Sequence, residues 1–216
     1  MGSNNFSNQQ IDEIKQYIIN NPEKYKYEGN HGYIYVFNDK FLGNIKVKFQ
    51  KNNDKKNFLE FLSEILNLQK LRGFNGIEEY LGNFILDNKI CIISKYFLGE
   101  NIENLLVNKS FKFDKFFFDK LIDIISSSAK EKNTYISDLR LANVLYDDIN
   151  QTICIIDIKN WKLPVTILRS QFQKSIFNII VFFIYDLFTF NWQHTYINTY
   201  IHTYIHTYKI QKPKNK

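Results

Sequence analysis

Ser137-Asp138-Leu139-Arg140-Leu141-Ala142-Asn143-Val144-Leu145, followed at the end of an apolar run by Ile155-Ile156-Asp157-Ile158-Lys159, is the stretch on which the reading of this chain turns. An aspartate, an asparagine five residues on and an aspartate fourteen beyond that make an uncommon spacing. Taken singly, each is ordinary turn chemistry, since Asp and Asn gather where strands begin and end. As a set they describe a reaction centre. Phosphoryl transfer needs hard oxygen ligands for Mg2+, which Asn143 and Asp157 would supply from adjacent loop ends. It also needs a carboxylate to orient and deprotonate an acceptor hydroxyl, the part Asp138 would play.

Outward from this stretch the apolar period changes along the chain. Residues 8–20 place Ile11, Ile14 and Ile18 on one helical face, and Asn20-Asn21-Pro22 stops the helix. From Tyr25 to Gln50 short alternating runs, GYIYVF and NIKVKF, predict antiparallel strands. Helical spacing returns over 54–71 with Phe58, Leu62, Ile65, Leu66 and Leu68. Strands are expected over Tyr80–Leu86 and Lys89–Phe97, around the turn Asp87-Asn88. Beyond Gly99 the chain turns helical, with a short helix at Ile102–Leu106 and a longer one from about Asp114 to Lys130. Two apolar pieces, Asn143–Tyr146 and Thr152–Ile158, flank the turn at Asp147-Asp148. The fold class expected is α+β. The expected division is a helical extension (1–24), a small β-rich lobe (25–98), an abbreviated helical lobe (99–192) and a low-complexity basic tail (193–216).

Composition bounds the function. Of the 216 residues 44 % are hydrophobic and 23 % charged, enough for a packed core and too little charge for global disorder. The net charge of +6 suits a polyanionic partner without choosing one. Cys91 and Cys154 each sit in an Ile-Cys-Ile-Ile run, as buried strand thiols do in a reducing compartment. The polar N-terminus reads as no signal peptide, and Phe6 stands where a myristoylation motif wants Ser or Thr. The apolar run Ile176–Phe190 carries Asn178 and Asp186 and reads as a buried helix rather than a bilayer span. The tail repeats YINT, YIHT, YIHT, so the spacing of His194, His202 and His206 comes from the repeat and no zinc site is expected there.

The segment DLRLANVL resembles the catalytic loop of protein kinases, H-R-D-L-x-x-x-N, and Asp157 falls where their D-F-G aspartate is expected. The resemblance runs upstream in the family's order and spans about residues 29–160. Asn44-Ile45-Lys46-Val47-Lys48 is similar to the strand bearing the phosphate-binding lysine, with Lys48 at that position. Glu64, Ile65, Leu68 and Leu71 resemble the helix whose glutamate pairs with that lysine. Lys46 and Glu60 are the substitutes if the register shifts. Ile92–Gly99 looks like the hinge strand, so the resemblance implies adenine held by the backbone of Lys95, Tyr96 and Phe97, with Ser94 guarding the inner pocket and Glu100 or Asn101 near the ribose. Gly29 and Gly32, ahead of Val36, stand for the glycine-rich loop. The implied fold is a two-lobed protein-kinase-like one, its cofactors ATP and Mg2+, and its partners ATP and a protein substrate or binding partner. No nucleic acid is expected and a membrane role is not favoured. The implied location is the cytoplasm, or a host cytoplasm for an effector.

The departures bear on activity. The family's glycine pattern falls on His31 and Ile34, so fewer backbone N–H groups approach phosphate. Ile136 replaces the catalytic-loop histidine, Arg140 the lysine that neutralises the transferring phosphate, Ile158 the phenylalanine and Lys159 the glycine after Asp157. No A-P-E motif follows. The short ending resembles small bacterial effector kinases of the OspG and NleH type, or a truncated copy of a larger kinase. Three functions compete. One is a minimal Ser/Thr-type kinase with Asp138 as base, one a pseudokinase acting as a binding scaffold, and one a small-molecule phosphotransferase of the aminoglycoside or choline kinase type.

Overall fold

The computed structural model of the protein describes residues 6–29, 32–39, 43–108, 114–132 and 139–158. Asp138, Ile136, His31, Lys159, the run 176–190 and the tail 193–216, on which sequence expectations also rest, lie outside the described residues.

Helix α1 (Asn8–Asn20) starts at a capping box. The Gln10 N–H donates to Ser7 Oγ at 3.2 Å, and the Ser7 N–H donates to Gln10 Oε1 at 3.0 Å. Three antiparallel strands follow: β1 (Tyr27–Glu28), β2 (Gly32–Asp39) and β3 (Gly43–Gln50). Alternation on β3 sends Ile45 and Val47 to one face of the sheet and Lys46 and Lys48 to the other. Helix α2 (Lys55–Lys70) is capped by Asp54, whose Oδ1 accepts from the Asn57 N–H at 2.8 Å. β4 (Tyr80–Leu86) and β5 (Lys89–Lys95) form a hairpin. Its two turn residues, Asp87 and Asn88, both have positive φ (49° and 59°), the backbone a two-residue hairpin of matching twist requires. The sheet order is β1-β2-β3-β5-β4.

The chain then makes β6 (Glu100–Asn101), α3 (Ile102–Val107), α4 (Lys115–Lys132), a 3-10 turn (Leu141–Asn143), β7 (Val144–Asp147) and β8 (Thr152–Ile155). β6, β7 and β8 form a second, three-stranded antiparallel sheet. At Gly99, entering β6, a Cβ would stand 2.7 Å from the Tyr146 carbonyl oxygen, so only glycine lets the two backbones approach this closely. The architecture is α+β, with both sheets antiparallel and four α-helices among the described residues.

Two cores share the larger sheet. On one face α1 lays Ile11, Ile14 and Ile18, with Phe6, against Tyr35, Ile45, Val47, Leu81, Phe84 and Ile93. The N-terminal helix, set apart as an extension on sequence alone, is thus one wall of the fold. On the other face Phe61, Ile65 and Leu68 of α2 join Tyr80 and Ile92 of the sheet. That core continues through Ile102 and Leu106 of α3, Phe117 and Leu121 of α4, and Val144 and Ile155 of the second sheet. It crosses the expected division at 98/99 without interruption. Backbone bonds tie the halves as well: the Glu78 N–H donates to Ile155 O at 3.0 Å, and the Ile155 N–H donates to Gly76 O at 2.9 Å.

Candidate functional site

Three elements deliver charged side chains to one point. Lys48 comes from β3, Glu64 from the inner face of α2, and Asp157 from just beyond β8. Lys48 Nζ donates to Glu64 Oε1 at 2.9 Å and Oε2 at 2.7 Å, and reaches Asp157 Oδ1 at 3.2 Å. Burial works against a charged lysine here, yet the Glu64 and Asp157 carboxylates outweigh it and hold the ammonium well above the usual lysine range. Glu64 is buried too, and desolvation, with Asp157 and Glu78 nearby, pushes its carboxyl above the ordinary value against the pull of Lys48. Asp157 adopts φ 56°, and among the described non-glycine residues with positive φ it stands apart from the two hairpin turns. A left-handed aspartate outside a turn is the kind of local strain that gathers at working sites. Asn67 Nδ2 holds the next carbonyl, Ile158 O, at 2.8 Å.

Asn143 lies beside this point through its backbone. It ends the 3-10 turn, its N–H donating to Arg140 O at 2.9 Å, and its carbonyl accepts from the Ile156 N–H at 2.9 Å. Asn143 and Asp157 are therefore held at adjacent chain positions, although no hydrogen bond joins their side chains. Arg140 is exposed. Among the described residues no three His, Cys, Asp or Glu side chains group as a metal cage. One carboxylate and one amide oxygen suit Mg2+ shared with phosphate oxygens, and do not suit a metal held by protein alone.

A cleft of about 420 Å³ is lined by chain neighbours of these residues, Lys46 on the strand of Lys48 and Ile156 before Asp157, and not by Lys48, Glu64 or Asp157 themselves. Its walls come from β1 and β2 (Tyr27, Ile34), the end of β5 and the segment after it (Lys95, Tyr96, Phe97, Gly99), β6 (Glu100, Asn101), β7 (Leu145), and β8 with the residue after it (Cys154, Ile156). Ile156 immediately precedes Asp157, and Ala142, also lining, precedes Asn143. The Lys95 N–H donates to Glu79 O and the Tyr96 N–H to Asn44 O, both at 2.9 Å, which anchors the segment against its neighbours. Asn101 faces the cleft while its Oδ1 caps α3, accepting from the Asn104 N–H at 2.7 Å. Ser94 is fully buried and donates to Glu78 Oε1.

The strand nearest the cleft contributes Ile34; Val36 lies two residues further along β2, opposite Lys46. Gly29 and Gly32 do not line it. The Gly29 N–H donates to Gly32 O at 2.9 Å instead. A Cβ on Gly32 would stand 2.6 Å from Phe49 O, so this glycine serves the β2–β3 approach.

Sequence reasoning did not find Glu78. Nothing in Glu78-Glu79 separates a buried carboxylate from a solvated one; the difference arises from the backbone bond to Ile155. Glu78 forms a buried salt bridge with Lys46. Burial alone would raise its carboxyl, but Lys46 and the Ser94 hydroxyl hold it below the ordinary value. Lys46 was legible, being two residues from Lys48 on an alternating strand and so on the same face. Cys154, lining the cleft beside Glu78, has its thiol pushed up to about 12, chiefly by burial. A comparison with protein-family models gives no match for this sequence, and neither does a comparison with curated proteins.

Proposed function

We propose that the chain is a two-lobed, protein-kinase-like phosphotransferase that binds a Mg2+-nucleoside triphosphate, ATP being the nucleotide the resemblance implies. The observation that carries this reading is Lys48 bridging Glu64 and Asp157. A lysine so fixed is a preformed cation two residues along β3 from Lys46, which lines a cleft of about 420 Å³, and α- and β-phosphates of a nucleotide in that cleft would extend towards it. Asn143 and Asp157 would hold Mg2+ with the phosphates, and the metal would neutralise charge developing on the transferred group. Asp138 would take the proton of a Ser or Thr hydroxyl, and Arg140 would offset phosphate charge. The antiparallel five-stranded sheet, its α2 glutamate and the hairpin carrying Asn143 and Asp157 at its two ends also fit this reading.

A second reading has its own observation. The Gly29 N–H is taken by Gly32 O at 2.9 Å and is not free for phosphate, which favours a pseudokinase that keeps the nucleotide and binds a partner.

Thermal unfolding with ATP, in Mg2+ or in EDTA, tests the nucleotide site. A ligand at about 100 times its Kd stabilises the fold by roughly 2.7 kcal/mol. We expect a Mg2+-dependent shift that Asp157→Ala abolishes, and phosphate transfer from γ-labelled nucleotide that the same change removes. A shift without transfer selects the pseudokinase. No shift with any nucleoside triphosphate rejects both.

A further inference from the structure

The cleft contains a charged pair that the Lys48 site leaves unused. Lys46 and Glu78 both line it, and both are buried. Glu78 Oε1 accepts from Lys46 and from the Ser94 hydroxyl, whereas Glu78 Oε2 is buried with no hydrogen-bond partner. A buried carboxylate oxygen without a donor is costly, and the cost is recovered when a ligand brings one. Glu78 lines the cleft and the terminal torsion of glutamate is broad, so its carboxylate can offer Oε2 to a donor there. Lys46 precedes Lys48 by two residues on one strand face, about 7 Å away. That separation makes Lys46 and Glu78, which line the cleft, a recognition point distinct from Lys48, which does not.

We propose that Glu78 and Lys46 read the base of the bound nucleotide, and that guanine is the base they fit. The proposal rests on the nucleotide-site reading above. A carboxylate accepts and cannot donate, and an ammonium donates and cannot accept. Guanine presents adjacent donors at N1–H and the 2-amino group, both able to converge on Glu78, and an acceptor at O6 for Lys46. Adenine presents one donor at its 6-amino group, and its N1 lone pair would face the carboxylate. The Tyr27 and Tyr96 side chains at the cleft supply apolar faces that either purine would use. Base choice therefore falls to the charged pair. The lowered Glu78 carboxyl keeps the acceptor ionised at neutral pH.

Equilibrium binding of GTP, ITP and ATP to the full chain, each with Mg2+, tests this. Hypoxanthine keeps O6 and N1–H but lacks the 2-amino group, so the expected order is GTP, then ITP, then ATP. ATP should bind about tenfold more weakly than GTP, or weaker still. In Glu78→Gln the GTP-over-ATP ratio should fall towards one with Mg2+ dependence retained. If that variant does not fold, the three-ligand series decides alone. ATP binding as tightly as GTP, or an unchanged ratio in folded Glu78→Gln, overturns base reading and leaves the nucleotide site standing. Binding of none of the three overturns the nucleotide site and base reading with it.

Discussion

At Lys48 the physics of a buried pair is open to direct test. Removing the ammonium in Lys48→Met leaves Glu64 buried near Asp157 and Glu78, an uncompensated charge costing about 3–5 kcal/mol. The sign of the pH dependence follows from Glu64, whose folded-state carboxyl already lies above its ordinary value of 4.5. Without Lys48 it rises further. The penalty is full above the folded value and is relieved as pH falls through it, because the folded state then takes the proton. Urea unfolding of Lys48→Met should therefore show a larger loss, relative to wild type, at pH 8 than at pH 5. Equal losses would mean that the pair is solvated. At this scale the sequence was informative through the Asp-Asn-Asp spacing, which gave Asp157, and through the resemblance, which implied Lys48 and Glu64. Lys48, Glu64 and Asp157 were named before the fold was known, and they meet. Glu78 was not named, and Ile34 was named only as a place where the family pattern has glycine. Which strand residue reaches the cleft depends on the register of β2 against β1 and β3, and Glu78 is buried by a strand more than seventy residues away.

Helix α2 aims Glu64 at the point where Lys48 and Asp157 meet it. Its N-terminus depends on the Asp54 carboxylate, which satisfies the Asn57 N–H. Asp54→Ala should cost about 1 kcal/mol of stability. Because Glu64 rides on the same helix, the variant should also reduce any Mg2+-nucleotide shift in thermal unfolding; a stability loss with the shift unchanged would separate the cap from the site. Period alone gave α1 with Ile11, Ile14 and Ile18 and the β4–β5 turn at Asp87-Asn88. For α2 it gave the helix with Ile65 and Leu68, but Phe58, Leu62 and Leu66, expected with them, are exposed, and Phe61 completes the inner face. The two-residue strands β1 and β6 were not readable, since two residues carry no period. β6 exists because Gly99 lets Glu100 and Asn101 approach Tyr146 and Leu145.

For the whole molecule, the sheet is packed on both faces, by α1 on one side and α2 on the other. Ile14→Ala and Leu68→Ala remove side chains from opposite cores, both buried, and each should cost about 2–5 kcal/mol. Both should lower the same single transition in calorimetry, because either core depends on the sheet between them. An Ile14→Ala chain whose main transition is unmoved would make α1 an appendage. Pattern cannot say which face of a sheet a helix will cover, and for that reason α1 was read as an extension. The junction near 98/99 was likewise drawn from a change of period, whereas the α2 core runs through it to Phe117 and Ile155.

The short parallel pairing at Gly76, Glu78 and Ile155 has a mechanical consequence. It rivets the two sheets together immediately beside the cleft, and both Glu78 and Asp157 sit within two residues of the rivet. The distance between the ends of the site is then a property of the folded chain, like a caliper locked before the object is inserted. Ligands would be sorted by length and edge chemistry against a fixed gauge, and amides at Glu78 and Ile155 should rank with the slowest to exchange whether or not the cleft is filled.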